Sequence, residues 1–180
     1  MKQTMVWAFV TALITVFAAC GGASAIGTLV FGIDTQANNR LAGSGATLLQ
    51  TNASGDFNAT YNGVTYSGTS YFDSGSAALF FQDSTIGTNS LKEYIPGTTL
   101  ARSVSIAISN TATATVDFNV ANANTLFASG NYAFDDMASY MTGIFDMGLP
   151  FFYGRHVYYG ISGKTSAGGG TGPYVAFTSS

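Results

Sequence analysis

Polar and apolar residues alternate along two neighbouring stretches in the middle of the chain. In residues 99–109, apolar residues take every second position from Val104 onward, with polar or small residues between them. Residues 112–120 repeat this alternation up to Val120. A period of two places successive side chains on opposite faces of a strand. The pattern therefore predicts two β-strands, which we expect to form a hairpin turning at residues 110–111.

A second hairpin is predicted upstream of the first. Residues 57–61 and 64–66 are rich in β-branched and aromatic types and flank the dipeptide Asn62-Gly63. Asn-Gly between two such runs is the strongest short-range signal for a two-residue hairpin turn. We expect the second arm of this hairpin to continue beyond the turn and to deliver Asp73 at the end of a strand.

Shorter patterns account for the rest of the chain. They predict strands in residues 28–33, 46–50 and 157–161, polar or glycine-rich loops in 34–45 and 163–172, and short helices in 122–127 and 135–142, the second starting at Asp135-Asp136. Many strands and at most two short helices in a chain of this length indicate a single, mainly β domain with one or two short helices.

The composition places this domain among ordered proteins with few charges. Hydrophobic residues make up 47% of the chain and charged residues only 8%, with 22 glycines. Disorder requires low hydrophobicity and high charge, so this composition argues against it. The net charge is -3 at pH 7. The chain therefore lacks the basic footprint of a nucleic-acid-binding protein.

Residues 1–25 have the features of a signal peptide. Lys2 precedes an apolar stretch, and small residues follow it. The stretch is shorter than the ~20 apolar residues that a membrane-spanning helix needs. We therefore expect an extracytoplasmic protein whose folded domain spans residues 26–180.

Two ways of processing this segment remain open. Phe17-Ala18-Ala19-Cys20 resembles a bacterial lipoprotein signal, which would lipidate Cys20 and attach the protein to the periplasmic or outer-membrane surface. Ordinary cleavage after Ala25 would instead discard Cys20 and release a secreted protein. Because Cys20 is the only cysteine, the domain has no disulfide in either case, and the only membrane contact we expect is a lipid on Cys20.

Residues 71–76, Tyr-Phe-Asp-Ser-Gly-Ser, resemble the active-site loop of pepsin-like and retroviral aspartic proteases. An apolar strand leads to Asp73, and a glycine permits the sharp reversal that follows. The alternative is an ordinary surface turn in which Asp and Ser bond their own backbone. Residues 143–159 resemble the late part of a pepsin lobe, where a glycine lies beside the catalytic loop. Gly148 takes that place, although Leu149 follows it where that family usually has Asp.

The mature chain as a whole resembles a family of secreted bacterial proteins known only as domain of unknown function 3443. The segments that carry the resemblance are residues 29–39, Asp73-Ser74-Gly75-Ser76, residues 120–127 and residues 148–155. Longer members of that family look like two-lobed aspartic-protease-like chains. The present chain passes from its signal peptide almost directly into the second lobe. The resemblance therefore implies one acid-protease-like lobe, of the pepsin or retropepsin type.

The resemblance to the protease loop also implies a role for each residue of the motif. Asp73 would be the catalytic carboxylate, Gly75 its turn, Ser74 a hydrogen-bond partner across a twofold axis, and Ser76 a partner of the outer carboxylate oxygen. Aspartic-protease catalysis needs two carboxylates that share one proton. A single Asp73 would therefore need a second copy of the chain or a separate first lobe.

Three functions stay open from the sequence, and with them the question of whether the chain is an enzyme. The first is a peptidase-like lobe that acts on peptides only when paired. The second is a non-catalytic cell-envelope module that holds a peptide or protein partner. The third is a truncated remnant of a two-lobed protein.

Other residues offer weaker chemistry. Asp34 is predicted as a turn residue at a strand end, and Asp146 as a surface acid, with a catalytic role as the lesser alternative. His156 is the only histidine, and a lone histidine offers no metal cluster. We therefore expect no cofactor and no metal.

Overall fold

A computed structural model describes residues 27–109 and 111–179 of the chain. The expected signal peptide, including Cys20, lies outside the described residues, as does residue 110 of the predicted turn.

The chain is mainly β with two short helices, as predicted. The strands are β1 Thr47–Gln50, β2 Phe57–Tyr61, β3 Val64–Phe72, β4 Leu79–Phe81, β5 Leu100–Ala107, β6 Thr113–Val120, β7 Ala138–Tyr140, β8 Phe145–Met147, β9 Val157–Gly160, β10 Thr165–Ser166, β11 Gly170–Thr171 and β12 Tyr174–Phe177. The helices are α1 Ala123–Ala128 and α2 Leu149–Phe152, and Ala37–Asn39 forms one 3₁₀ turn.

Seven strands form the main sheet, in the order β6-β5-β2-β3-β8-β4-β7. A three-stranded sheet, β1-β12-β9, packs against it, and β10 and β11 form a small ribbon. The two predicted hairpins are both present: β2 pairs with β3 across Asn62-Gly63, and β5 pairs with β6 from Leu100↔Val120 to Ala107↔Thr113.

The strand β8 is inserted between β3 and β4, although it follows them by more than sixty residues in the chain. It runs parallel to β3 and antiparallel to β4. The β3–β4 connection, which contains Asp73, therefore passes over the end of β8. This crossing places the Asp73 loop beside residues 145–149.

The core that the two larger sheets share is rich in aromatic side chains. Phe81 is fully buried and packs on Phe145, with ring centroids 5.4 Å apart. Phe72 contacts Phe177 of the smaller sheet at 5.6 Å. Burial of such rings is the main favourable contribution to folding in a domain of this kind. None of the described helices is long and apolar enough to cross a membrane.

Two predicted elements are wrong. Residues 28–33 form no strand, and Leu29 and Phe31 are 53% and 63% exposed. The segment ends in a turn that begins at Gly32, where the N–H of Thr35 donates to the Gly32 carbonyl. Residues 135–142 contain no helix, because Ala138–Tyr140 pairs in parallel with β4 and the ladder satisfies its backbone. Asp135 and Asp136 therefore do not start a helix.

The other helix is correctly predicted to within one residue. Asn122 caps α1, and its side chain accepts the N–H groups of Asn124 and Thr125. Other short elements were not predicted from the sequence. They are α2, which begins with Leu149-Pro150, and the strands β4, β8 and β12, the last of which lies at the centre of the smaller sheet. Residues 163–172, predicted as a loop, contain the antiparallel pair β10 and β11.

Candidate active site

Asp73 lies directly after the last residue of β3, as the sequence predicts. Its N–H donates to the carbonyl of Met147 at 3.1 Å, which ties the start of the loop to the end of β8. Ser74 and Gly75 are exposed at the tip of the loop, whereas Asp73 and Ser76 are half-buried. The carboxylate therefore lies near the surface, on a loop whose start is held in place by β8.

Both oxygens of the Asp73 carboxylate accept hydrogen bonds from its own loop. Oδ1 accepts the N–H of Gly75 at 2.8 Å, and Oδ2 accepts the hydroxyl of Ser76 at 2.8 Å. The N–H of Ser76 also donates to the carbonyl of Asp73 at 3.2 Å, which closes the turn. Hydrogen bonds of this kind fix the orientation of a carboxylate and stabilise its charged form.

Gly148 lies against this loop, in the position predicted for it. A Cβ atom at residue 148 would stand 1.9 Å from the carbonyl oxygen of Ala78 and 2.8 Å from that of Ser76. The next residue, Leu149, donates its N–H to the same Ser76 carbonyl at 2.7 Å. The position requires glycine because the backbone of the Asp73 loop occupies the space of a side chain.

Asp146 is not a surface acid, which corrects the prediction from the sequence. It lies in the middle of β8, opposite Tyr71 of β3 and Phe80 of β4, and only 3% of it is exposed. Its Oδ1 has no hydrogen-bond partner among the described residues. The strand is buried on both sides of the sheet, so an acid within it has very little contact with solvent.

The surroundings of Asp146 favour its protonated form. Burial raises the pKa of its carboxyl to about 6, and the negative charge of Asp73 adds to the rise. The hydroxyl of Ser76 acts in the opposite direction when it bonds the carboxylate. Asp73 and Asp146 therefore compete for the hydroxyl proton of Ser76, which can be donated to only one of them.

Two tyrosines stand beside this pair of acids. The hydroxyl of Tyr159 donates to the carbonyl of Phe72 at 3.1 Å, while 48% of Tyr159 is exposed. Burial and the negative charges of Asp73 and Asp146 raise the pKa of Tyr159 to about 12. Burial and the same charges also raise the pKa of Tyr71. Both tyrosines therefore stay neutral in the range where carboxyl groups titrate.

We expect Asp146 to make the protein less stable as the pH rises. Its folded pKa lies above the ordinary value of 3.8, so the folded state binds the proton more tightly than the unfolded state does. The favourable contribution is complete below pH 3.8 and is lost as the pH rises through about 6. A difference of roughly two units between the folded and unfolded pKa values of Asp146 corresponds to at most about 3 kcal/mol in the free energy of unfolding.

Urea unfolding of the wild type and of Asp146→Asn at a series of pH values measures this effect. The free energy of unfolding of the variant should not decline between pH 3.8 and about pH 6, and the variant should be the more stable protein at neutral pH. A decline of equal size in both proteins would show that Asp146 does not cause it.

The family model that matches this chain covers residues 10–177 and is described as a protein of unknown function, DUF3443. The chain belongs to this family. The match confirms the family resemblance seen in the sequence, and the family description assigns no activity. No curated protein and no solved structure matches the chain.

Asp34 lies in a turn, as predicted, and its carboxylate joins two distant loops. It accepts the N–H groups of Leu41 and Ala42 at 2.7 and 2.9 Å and that of Gly168 at 2.7 Å. The N–H groups of Ala42 and Gly168 lower its pKa. With these donors in place, Asp34 serves the structure and is unsuited to be a second catalytic acid.

Asp83 is a buried acid that the sequence did not reveal. It is 3% exposed and accepts the hydroxyl of Tyr61 at 2.7 Å and both the N–H and the hydroxyl of Thr85 at 2.9 and 2.6 Å. Burial acts to raise its pKa, but these bonds and the charge of Arg102, 3.7 Å away, lower it overall. Asp83 is therefore a satisfied structural group.

A cavity of about 140 Å³ lies on the other side of β8. Phe145 and Met147 line it, and they alternate with Asp146 along the strand. Arg155 lines it too, with its guanidinium 4.6 Å from the centre of the Phe151 ring. The cavity is thus separate from the face that contains Asp73 and Asp146.

Metal-ligating side chains do not gather in the part of the chain that the structure describes. No group of three or more His, Cys, Asp or Glu residues there could hold a metal ion. The ring of His156 lies 6.4 Å from that of Tyr158 in a stacked arrangement. The chemistry available at the Asp73 loop is therefore that of carboxyl and hydroxyl groups.

From the sequence, Asp146 was predicted as a surface acid with a catalytic role only as the lesser alternative, and Tyr159 was not selected for the site. A weak signal for the first exists, since Asp146 is the single charge within the run Ile144-Phe145-Asp146-Met147. A charge inside an apolar run is expected to be buried and functional more often than a charge at its end. Tyr159 carries no comparable signal, because its place beside Phe72 depends on the packing of the two sheets.

Proposed function

We infer that this chain provides Asp73 as one carboxylate of an acid peptide hydrolase, and that a second copy of the chain completes the site. The observation that supports this function is the hydrogen bonding of the Asp73 carboxylate. Gly75 and Ser76 hold its two oxygens at 2.8 Å each, on a loop whose tip is exposed.

Hydrolysis of a peptide bond by carboxyl groups requires a base and an acid at the same time. One ionised carboxylate takes a proton from a water molecule, which attacks the peptide carbonyl. The second, protonated carboxyl gives its proton to the substrate. Asp73 is suited to either role when an equivalent Asp73 from another copy faces it, because two nearby carboxylates cannot both ionise.

The second carboxylate has to come from outside the loop. Asp146 is only 3% exposed and cannot contact a substrate. Asp34 is occupied by three backbone N–H groups. A twofold dimer is the most common assembly of identical chains, and it would bring two exposed Asp73 loops together. A separate first lobe, as the resemblance implies for longer members of this family, would serve the same purpose.

The surface beside Asp73 favours a peptide with an apolar or aromatic side chain near the cleaved bond. The hydroxyl of Tyr159 is fixed on the Phe72 carbonyl, and about half of the residue remains exposed next to the loop. An anchored, exposed aromatic ring offers apolar contact area with little loss of conformational freedom.

The proposal includes a location outside the cytoplasm. The charged start, apolar stretch and small residues of residues 1–25 support export, and a lipid on Cys20 would hold the protein at the membrane surface. Export is compatible with an acid-dependent enzyme that acts on peptides in the cell envelope.

Cleavage of a peptide mixture at mildly acidic pH tests this function. The rate per protein molecule should rise with protein concentration, because two copies are needed to form one site, and should level off when all the protein is paired. An absence of cleavage at every concentration would contradict the proposal. Cleavage at a constant rate per molecule would show that one copy suffices.

A second candidate function is peptide binding without cleavage. It is favoured by the fact that the loop offers one carboxylate per chain at the surface, since a single carboxylate can accept a hydrogen bond from a peptide without catalysing hydrolysis. Binding should then survive Asp73→Asn with little loss, whereas cleavage should not. Retention of a labelled peptide by both proteins, with no product from either, would favour this candidate.

A further inference from the structure

Ser76 has a single hydroxyl proton, and two acids stand within its reach. A serine hydroxyl is one donor and can accept through its lone pairs. In the structure the proton is given to Oδ2 of Asp73, at 2.8 Å. Asp146 lies two residues before Gly148, where a Cβ atom would stand 2.8 Å from the Ser76 carbonyl oxygen, so the Asp146 side chain lies on the side of β8 that faces Ser76. A bond from the same hydroxyl to the Asp146 carboxylate would oppose the rise of its pKa. The hydroxyl cannot donate to both acids at once.

Asp146 has a strong need for that donor whenever it is ionised. Only 3% of it is exposed, and its Oδ1 is without a hydrogen-bond partner among residues 27–109 and 111–179. A buried carboxylate with an unsatisfied oxygen is costly unless it finds a donor. While Asp146 is protonated this need is much weaker, because the carboxyl is neutral and is itself an O–H donor, and the Ser76 proton is free to remain on Asp73.

We propose that Asp146 is a positioning residue for Asp73 and acts through the single hydroxyl proton of Ser76. With Asp146 protonated, Ser76 donates to Oδ2 of Asp73 and holds that carboxylate in place. When Asp146 loses its proton to solvent, the Ser76 hydroxyl rotates toward it, and Oδ2 of Asp73 loses its donor. No covalent bond of Ser76 changes, and the one proton released is that of Asp146.

The other groups that face Asp146 do not titrate in the same range. Tyr71 on β3 and Tyr159 on β9 both feel its charge, and both have a raised pKa. Phe80, its partner on β4, has no titratable group. Asp73 is the other carboxylate whose charge acts on Asp146.

The backbone fixes the two acids and Ser76 relative to one another. Asp73 N–H donates to Met147 at the end of β8, and Leu149 N–H donates to Ser76 at 2.7 Å. These two bonds link the loop to both sides of Gly148. Rotation of one hydroxyl is thus sufficient to change the partner, and no movement of the loop is needed.

A carboxyl titration by NMR tests the proposal on the full chain with ¹³C-labelled aspartate side chains, from about pH 4 to about pH 8. The Asp146 signal should change with a midpoint near pH 6. The Asp73 signal should show a step with the same midpoint, because it loses the Ser76 hydrogen bond there. Asp146→Asn should remove this step, since its amide does not ionise. The absence of a step in the wild type would overturn the proposal.

Substitutions of Ser76 separate the hydroxyl from a direct effect of charge. Ser76→Ala should reduce the Asp73 step by roughly half or more, and Ser76→Thr should keep it, because only threonine retains a hydroxyl donor. A step of equal size in Ser76→Ala would show that charge acts through space and would overturn the proposal. If Ser76→Ala does not fold, Ser76→Cys takes its place, and its weaker donor should also reduce the step.

The proposed positioning matters for catalysis only if Asp73 is catalytic, so its importance rests on the proposed function. The titration needs no substrate, however, and the two can fail separately. A coupled step without peptide cleavage would leave the positioning intact and contradict the hydrolase. Peptide cleavage without a coupled step would support the hydrolase and contradict the positioning role of Asp146.

Discussion

Replacing Asp73 with Asn is expected to lower kcat/KM for peptide cleavage by about 10³-fold. Asparagine has nearly the same shape, and its side-chain oxygen can still accept one of the two loop hydrogen bonds. It cannot take a proton from water or give one to the substrate, because an amide does not titrate in this range. The variant should therefore fold like the wild type and fail only in chemistry.

Asp117→Asn is the matched control for this change. Asp117 is an exposed acid on β6, the edge strand of the main sheet, separated from β8 by three other strands. The same change of charge there should leave cleavage unaltered. Full activity in Asp73→Asn, or an equal loss in Asp117→Asn, would remove Asp73 from the proposed mechanism.

Gly148→Ala is expected to destabilise the protein by about 4 kcal/mol. The backbone of Gly148 has φ -66°, which alanine adopts without strain, so the effect comes from contact alone. The new Cβ would lie 1.9 Å from the Ala78 carbonyl oxygen and 2.8 Å from that of Ser76. Both neighbours are backbone atoms of the Asp73 connection, and they cannot move away without displacing the loop.

Urea unfolding of Gly148→Ala and of Gly97→Ala measures this effect against a suitable control. Gly97 is exposed, does not have a positive φ, and a Cβ atom added to it would meet no other heavy atom within 4 Å. Its substitution should change stability by no more than about 0.5 kcal/mol. Similar stability of the two variants would mean that β8 and the Asp73 loop are less closely packed than the structure indicates.

The main elements that present Asp73 could be predicted from the sequence because their signals are local. Asn62-Gly63 determines the turn of the β2–β3 hairpin, and the alternating residues of β5 and β6 determine which side chains enter the core. Asp73 follows β3 directly, so its position at a strand end required only the length of that strand.

The insertion of β8 between β3 and β4 could not be predicted in the same way. The pairing Tyr71↔Asp146 joins residues 75 positions apart, and a three-residue strand has too little pattern of its own. The burial of Asp146 follows from that pairing. For this reason Asp146, whose pKa the charge of Asp73 raises, was expected at the surface.

Local patterns were also misleading where tertiary contacts decide the structure. Residues 135–142 have a possible cap and a glycine stop, but Ala138–Tyr140 gains a ladder with β4 instead. Residues 28–33 are apolar enough for a strand, yet they end in the turn that begins at Gly32. Hydrophobic pattern and length alone do not distinguish a paired segment from an unpaired one.

The pairing of two Asp73 loops is tested most directly by the mass of the purified protein in solution at mildly acidic pH. Sedimentation should give the mass of two copies at the concentrations where peptide cleavage per molecule has levelled off. It should give the mass of one copy where cleavage per molecule is low. A single copy at every concentration that cleaves peptide would contradict the paired site and leave Asp73 as the only accessible carboxylate of its loop.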